Sequence, residues 1–170
     1  IRHGTTSLIG FFEVATGRIF PPYLNETRGE ADFCEAVSRV VETAPEKNWV
    51  FVCDGLNTHK SETLVKYVAE ACGIEEDLGQ KGKSGILKSL QSREDFLHDP
   101  SHRIRFVYTP KHCSWMNQIE IWFGIINRKL LKRKSYTSLE EMKESIRRFI
   151  EQYNLCLLYT SDAADERSSV

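Results

Sequence analysis

Two carboxylates stand where side chains of this type could do chemistry. Asp54 follows the apolar run Trp49-Val50-Phe51-Val52-Cys53, which reads as a strand, and precedes the turn-forming stretch Gly55-Leu56-Asn57-Thr58-His59. Glu120 lies in an amphipathic helix entered through Ser114-Trp115-Met116-Asn117-Gln118-Ile119. Carboxylate oxygens are the hard donors that Mg²⁺ selects, so acids delivered by stiff elements suit a divalent-metal nuclease. Each acid also has a plainer reading. Asp54 would simply start a turn, and Glu120 would pair at a helix boundary with Arg128 or Lys129.

The elements that must position these acids follow from periodicity and caps. Residues Ser7 to Ala15 and Gly17 to Leu24, separated at Thr16-Gly17, read as a β-hairpin. Gly29 to Thr43 spaces Phe33, Val37, Val40 and Val41 as on a helix before Pro45 stops it. Ser61 caps a helix running to Cys72 with Gly73 beyond its end. Gly79 to Pro100 is polar and reads as a long connection with two or three short helical turns at most, and Ile104 to Tyr108 is a further strand. In the Glu120 helix, Met116, Ile119, Phe123, Ile126 and Leu130 form a buried stripe with Trp122 beside it. Glu120 then shares a face with Asn117, Gly124 and Asn127, away from the solvated side, which leaves room for an ion or a phosphate. Ser138 opens a last helix with Glu141 completing a capping box, and Leu139, Met142, Ile146, Phe149, Ile150 and Tyr153 form its sheet-covering stripe. Hairpin, helix, strand, helix, strand, helix, helix predicts an α/β fold, a mixed sheet with helices on its faces. In such sheets reactive side chains sit at strand ends, which is where Asp54 falls.

Composition sets bounds. At 170 residues and 41% hydrophobic, one core is expected, and 23 Lys+Arg against 24 Asp+Glu leave a net charge of −1 that does not by itself announce nucleic acid. Five cysteines without CxxC spacing do not resemble a disulfide framework, so a reducing, cytoplasmic setting is expected. No apolar run reaches the roughly 18 residues of a membrane span, and no leader pattern is present. Ile1-Arg2-His3-Gly4 reads like the middle of something, so the N-terminus is taken as truncated.

Charge is local instead. Arg128, Lys129, Lys132, Arg133 and Lys134 cluster at the end of the Glu120 helix, where they suit the helix dipole and also a phosphate-tracking surface that Lys111, Lys81, Lys83 and Lys88 would extend. His59 and His112 read either as phosphate contacts near the acids or as satisfied loop histidines. Trp115 and Trp122 read as core anchors rather than base-stacking platforms. Gly82-Lys83-Ser84 mimics a P-loop end, but Asp77 occupies the position of the required first glycine, so ATP binding is not expected. His98, His102, His112 and Cys113 lack the CxxC partner pair of a zinc site.

Taken together, Val50-Phe51-Val52-Cys53-Asp54-Gly55-Leu56-Asn57-Thr58-His59-Lys60-Ser61, the run from Arg105 through Thr109-Pro110-Lys111-His112-Cys113-Ser114-Trp115-Met116-Asn117-Gln118-Ile119-Glu120 to Phe123, and Arg2-His3-Gly4-Thr5 resemble the catalytic domain of IS630-type transposases, within the Tc1/mariner superfamily, over residues 1–154. The resemblance implies a ribonuclease-H-like fold carrying a DDE or DDD acidic triad with Mg²⁺ or Mn²⁺. Asp54 matches the second acid and Glu120 the third, and His59, Lys111, His112, Asn117 and the basic cluster would meet DNA. The first acid, on the first strand of the sheet, would fall upstream of Ile1, so that strand is expected to be missing. Gly55 replaces an asparagine frequent in the family. Double-stranded DNA, as transposon ends and target, is the implied partner in a bacterial, nucleoid-associated setting; a homodimer is open, and no membrane is involved. Recognition of transposon ends belongs in the family to N-terminal helix-turn-helix modules. Residues 155–170 read as a disordered, non-native tail resembling translated adapter sequence. The competing reading is a non-catalytic DNA-binding remnant or a domesticated protein that keeps the fold; a ribonuclease-H-type RNA hydrolase would need a four-carboxylate pattern.

Overall fold

The computed structural model describes residues 4–110 and 117–167, with side chains described to residue 157. The chain divides into two compact units, Thr27–Asn117 and Ile1–Glu26 with Gln118–Val170, where length alone suggested one core.

In the first unit, β3 (Trp49–Cys53) pairs in parallel with β4 (Ile104–Tyr108), in a register that sets Phe51 opposite Phe106 and Cys53 opposite Tyr108. Strands β1 (Ser7–Ile9) and β2 (Tyr23–Asn25) belong to the other unit. Parallel strands require a crossover, and the intervening chain supplies it with α2 (Glu62–Ala71) and α3 (Leu90–His98), while α1 (Glu30–Glu42) precedes β3. Phe51 and Phe106 stack at 5.1 Å between ring centroids, Trp49 extends the stack beyond Phe51, and Phe33 of α1 lies 6.5 Å from Phe106. Phe106, Ile104, Leu64, Val65, Val68, Val37 and Leu97 are sealed from solvent and form the core of this unit. Each such side chain stabilises by about 1.5–3 kcal/mol.

The caps were legible. Gly29 and Thr43 bracket α1 as expected, with Asp32 accepting hydrogen bonds from the Gly29 N–H at 2.7 Å and the Thr27 hydroxyl at 2.6 Å. Ser61 Oγ accepts from Leu64 N–H at 3.2 Å, and Gly73, at φ 67°, ends α2 in the left-handed region. The Gly79–Pro100 segment is more ordered than its composition suggested. It holds a 3-10 turn (Ile86–Lys88) and α3, a helix of nine residues opened by a reciprocal Ser89–Ser92 cap and burying Arg93, Phe96 and Leu97.

The second unit opens with the expected hairpin, but its strands are short. β1 (Ser7–Ile9) and β2 (Tyr23–Asn25) pair antiparallel, and a separate bridge joins Phe12 to Ile19 across a turn closed by Gly17 at φ 75°. Pro21 and Pro22 lack the N–H groups that a continuous ladder needs. Against the hairpin pack α4 (Ile119–Ile126), a π-helical turn (Asn127–Leu131) and α5 (Leu139–Arg167). Ile19, Trp122, Ile126, Ile146 and Ile150 are its buried core, with Met142, Phe149 and Tyr153 half-buried around them, so the α5 stripe lies where its periodicity put it. The α4 stripe is turned from expectation. Trp122 and Ile126 are its buried centre, while Ile119, Phe123 and Leu130 flank it and Met116 lies outside the described residues.

α5 continues as helix to Arg167, without a break after Asn154. That stretch holds three Leu and two Ala, which are good helix formers, and no Gly or Pro interrupts it. Among the described residues no helix is long and apolar enough to cross a membrane.

Two polar contacts fix α5. The Asn154 amide accepts from Ile19 N–H at 2.9 Å and donates to Ile19 C=O at 2.8 Å, satisfying both backbone groups of a fully buried residue. At the other end Ser138 Oγ caps Glu141 N–H at 3.1 Å, but the Glu141 carboxylate reaches one residue further back than a capping box requires, accepting from Thr137 N–H and Oγ at 2.9 and 2.7 Å. Asn154→Ala should destabilise the protein by about 2 kcal/mol, because it orphans two buried backbone groups; denaturant melts measure this. The Thr137 hydrogen bonds, with Lys134 beside them, hold Glu141 down from 4.5 to about 2. A depressed acid contributes stability that is complete above its unfolded value and lost as pH falls through its folded one. Hydrogen exchange at the Thr137 amide should therefore stay protected at pH 5 and lose protection as pH approaches 2.

Candidate active site

Asp54 is placed by the parallel pair. β3 ends at Cys53, whose carbonyl accepts from Thr109 N–H at 2.9 Å, so the next side chain leaves the sheet at the carboxyl end of the strand. The chain then enters a 3-10 turn, Asn57–Lys60, clamped from behind. Tyr108 OH donates to the His59 carbonyl at 2.9 Å, and the buried Arg93 donates through Nε to the Lys60 carbonyl at 2.7 Å and through Nη1 to that of Leu87 at 3.0 Å. Burial pushes the Tyr108 phenol well above its ordinary range, so it serves as a neutral donor.

Among the described residues the Asp54 carboxylate meets His59. His59 Nδ1 lies 3.1 Å from the Asp54 carbonyl oxygen and 2.7 Å from Oδ1. A carbonyl only accepts, so Nδ1 carries a proton. The direction from Nδ1 to the carbonyl satisfies a hydrogen bond and that to Oδ1 does not. Oδ1 is thus buried without a hydrogen bond, although the Asp54 side chain as a whole is 44% exposed. The nearby cation is drawn elsewhere. Lys60 Nζ contacts Glu94 Oε2 at 2.6 Å and lies 4.5 Å from the Tyr108 ring centre. Asp54 is therefore free of Lys60, and its carboxylate, a hard donor on a side chain still 44% exposed, fits a divalent cation. Cys53 does not compete as a ligand, because burial first and the Asp54 charge second push its thiol up to about 12.

Glu120 occupies the first turn of α4, favourable for an acid at a helix N-terminus. It is exposed and, among the described residues, makes neither a hydrogen bond nor an ion pair, so the boundary pairing with Arg128 or Lys129 does not form. The face expected to shield it does so only in part, since Asn127 is exposed as well while Asn117 and Gly124 are half-buried. Asn117 precedes α4 rather than riding on it, because the helix begins at Ile119. The Arg128 guanidinium folds back over Gly124, where a Cβ would lie 3.6 Å from Nη1, bringing a cation onto the Glu120 face. Both acids fit a metal by donor type, but they belong to different units, and among the described residues no three His, Cys, Asp or Glu side chains gather into a metal cluster.

The basic residues divide. Arg128, Lys129, Lys132 and Arg133 are exposed around the π turn, in which Lys132 N–H reaches the Asn127 carbonyl at 2.9 Å. The widened turn keeps Leu130 and Leu131 both against the core. Lys134 is engaged within the protein, 3.0 Å from Glu141 and 3.2 Å from Ser145 Oγ. Lys111, His112, Cys113, Ser114 and Trp115 lie outside the described residues. Gly82-Lys83-Ser84 closes a tight loop in which Gln80 N–H meets the Ser84 carbonyl at 3.1 Å, and Gly79, at φ 79°, leaves no room for a Cβ against that carbonyl. His98 Nδ1 donates to Phe106 C=O at 3.0 Å and His102 packs on Phe96, so both serve the fold. Sequence reasoning missed Tyr108, Arg93 and Phe33. Aligning the carboxyl ends of the two strands would have set Tyr108 beside Cys53.

A family model described as DDE superfamily endonuclease matches residues 1–143. No curated protein and no solved structure matches the chain significantly. The matched span includes Asp54, His59, Glu120 and the basic turn, and the mixed α/β architecture is that of a ribonuclease-H-like fold. The chain therefore belongs to the DDE superfamily of endonucleases.

Proposed function

We propose that this chain is the catalytic domain of an IS630-type transposase of the Tc1/mariner superfamily, cutting and joining DNA with Asp54 and Glu120 as the second and third acids of a DDE triad. The observation that carries the reading is the state of Asp54: it stands at the carboxyl end of a parallel strand with its carboxylate part-exposed and, among the described residues, without a Lys or Arg partner, while the adjacent Lys60 is neutralised by Glu94. A salt-bridged structural aspartate would have taken Lys60 for itself. Glu120, also without a cation partner among the described residues, supplies a second hard donor. The family match over both acids supports their pairing in one reaction, and the first acid is assigned to the strand that the resemblance places before Ile1.

Bound Mg²⁺ or Mn²⁺ would supply activation of the attacking oxygen and charge stabilisation of the leaving one. Asp54 and Glu120 hold and orient; Arg128, Lys129, Lys132 and Arg133 would grip phosphates of the double-stranded DNA. In the first step the oxygen of water bonds to phosphorus at the transposon end and the bond to the 3′ oxygen breaks, which leaves a free 3′-hydroxyl once that oxygen takes a proton. In the second, that hydroxyl oxygen bonds to a target phosphorus, its proton is released, and one strand of the target is cleaved as the transposon end is joined.

In the full-length protein, Asp54→Asn and Glu120→Gln should each lower Mg²⁺-dependent cleavage of a transposon-end duplex by at least about a hundredfold, since charge stabilisation at a bound metal is worth several kcal/mol. Cleavage retained in either variant removes that acid from the triad; a full-length protein that binds DNA without cleaving it in any metal favours the non-catalytic reading. Lys129→Ala and Arg133→Ala should each reduce the slope of log K against log salt for duplex DNA by about 0.9, which titrations at several ionic strengths measure.

A further inference from the structure

Asp54 does not stand alone at the end of its strand. The His59 ring that touches its carboxylate is held at one face, at Nδ1 and through its backbone. Its face packs on Phe33 with centroids 4.0 Å apart, its own carbonyl is held by Tyr108 OH, and the next carbonyl along is held by Arg93. Its side chain is only 17% exposed. Through Phe33 it joins the ring stack Trp49–Phe51–Phe106 that underlies the sheet, so the rigidity of the core extends to one nitrogen atom beside Asp54.

We propose that His59 is the positioning residue of the metal-binding carboxylate. Its Nδ1–H, hydrogen-bonded to the Asp54 carbonyl and in contact with Oδ1, fixes the orientation of the side chain and leaves the exposed Oδ2 to a divalent cation. An aspartate at a strand end otherwise turns freely about its last torsion, which is broad and roughly two-fold. A ligand already held in one orientation loses less freedom when it binds an ion, and partners that orient a metal ligand commonly tune affinity for this reason. The inference rests on the proposed role of Asp54 as a metal ligand.

Amide isosteres separate the two nitrogens, because an asparagine amide nitrogen falls where Nδ1 lies and a glutamine amide nitrogen where Nε2 lies. Mn²⁺ affinity of the full-length protein, read from the loss of the free-ion paramagnetic resonance signal, is compared for wild type, His59→Gln, His59→Asn and Asp54→Asn, with metal-free melting curves recorded alongside. His59→Gln should weaken Mn²⁺ by about 10–100-fold and His59→Asn should recover binding to within about threefold of wild type, with both melting like wild type. Tyr108→Phe, which frees the His59 carbonyl and leaves the ring, should shift affinity in the same direction as His59→Gln and serves if the histidine variants do not fold. Wild-type affinity in His59→Gln and Tyr108→Phe, with Asp54→Asn severely weakened, overturns the role of His59 alone. Equal weakening in His59→Asn and His59→Gln overturns the assignment to Nδ1. Unchanged affinity in Asp54→Asn overturns the reading of Asp54 itself, and this inference with it.

Discussion

The parallel pairing of β3 with β4 is the constraint on which the candidate site depends. It stacks Phe51 on Phe106, sets Cys53 against Tyr108, and releases Asp54 from the carboxyl end of the sheet. A slip of one residue would turn every side chain of β3 to the opposite face, so that Phe51 and Cys53 would leave the core and Val50 and Val52 would enter it. The same slip would take Tyr108 from the His59 carbonyl. The crossover that parallel pairing demands is not a passive link. It carries Arg93, which holds the turn after Asp54, and Glu94, which draws Lys60 away from it. Scaffold and candidate chemistry thus share residues.

The second unit solves a different problem, since a short hairpin interrupted by two prolines has few backbone bonds of its own. Its stability comes from the aliphatic and aromatic layer of Ile19, Trp122, Ile126, Ile146 and Ile150, and from the Asn154 amide that substitutes for a missing strand neighbour at Ile19. That framework presents Glu120 from the first turn of α4 and the cations from the π turn that follows α4 and the residues just after it. The π turn reconciles two needs, keeping Leu130 and Leu131 inward while Arg128, Lys129, Lys132 and Arg133 stay in solvent. Single π turns inside helices are frequent at functional sites.

What could be read in the sequence was what is local. Strands Trp49–Cys53 and Ile104–Tyr108, the Ser61 cap, the Gly73 stop and the α5 stripe all follow from patterns within a few residues. α3 was underrated because Leu-Gln-Ser-Arg-Glu-Asp-Phe-Leu-His has only a short apolar patch; the Ser89 cap and the buried Arg93 hold it together with Phe96 and Leu97. The clamps were invisible for another reason. Tyr108 to His59 spans 49 residues, Arg93 to Lys60 spans 33 and Asn154 to Ile19 spans 135, and no local pattern encodes such partners. Asp54 and Glu120 were recognisable because a multi-residue resemblance surrounded them. That one oxygen of Asp54 would be buried and unbonded, and that Glu120 would face solvent, were not.

The central claim is that Asp54 and Glu120 serve one divalent-metal reaction. A crystal structure of the full-length protein with a transposon-end duplex and Mn²⁺, the ion located by its anomalous scattering, addresses it directly. The account predicts Mn²⁺ within about 2.0–2.3 Å of a carboxylate oxygen of each acid, the ordinary range for oxygen ligands of such ions. Mn²⁺ bound beside the scissile phosphate with either Asp54 or Glu120 outside its coordination sphere would contradict it.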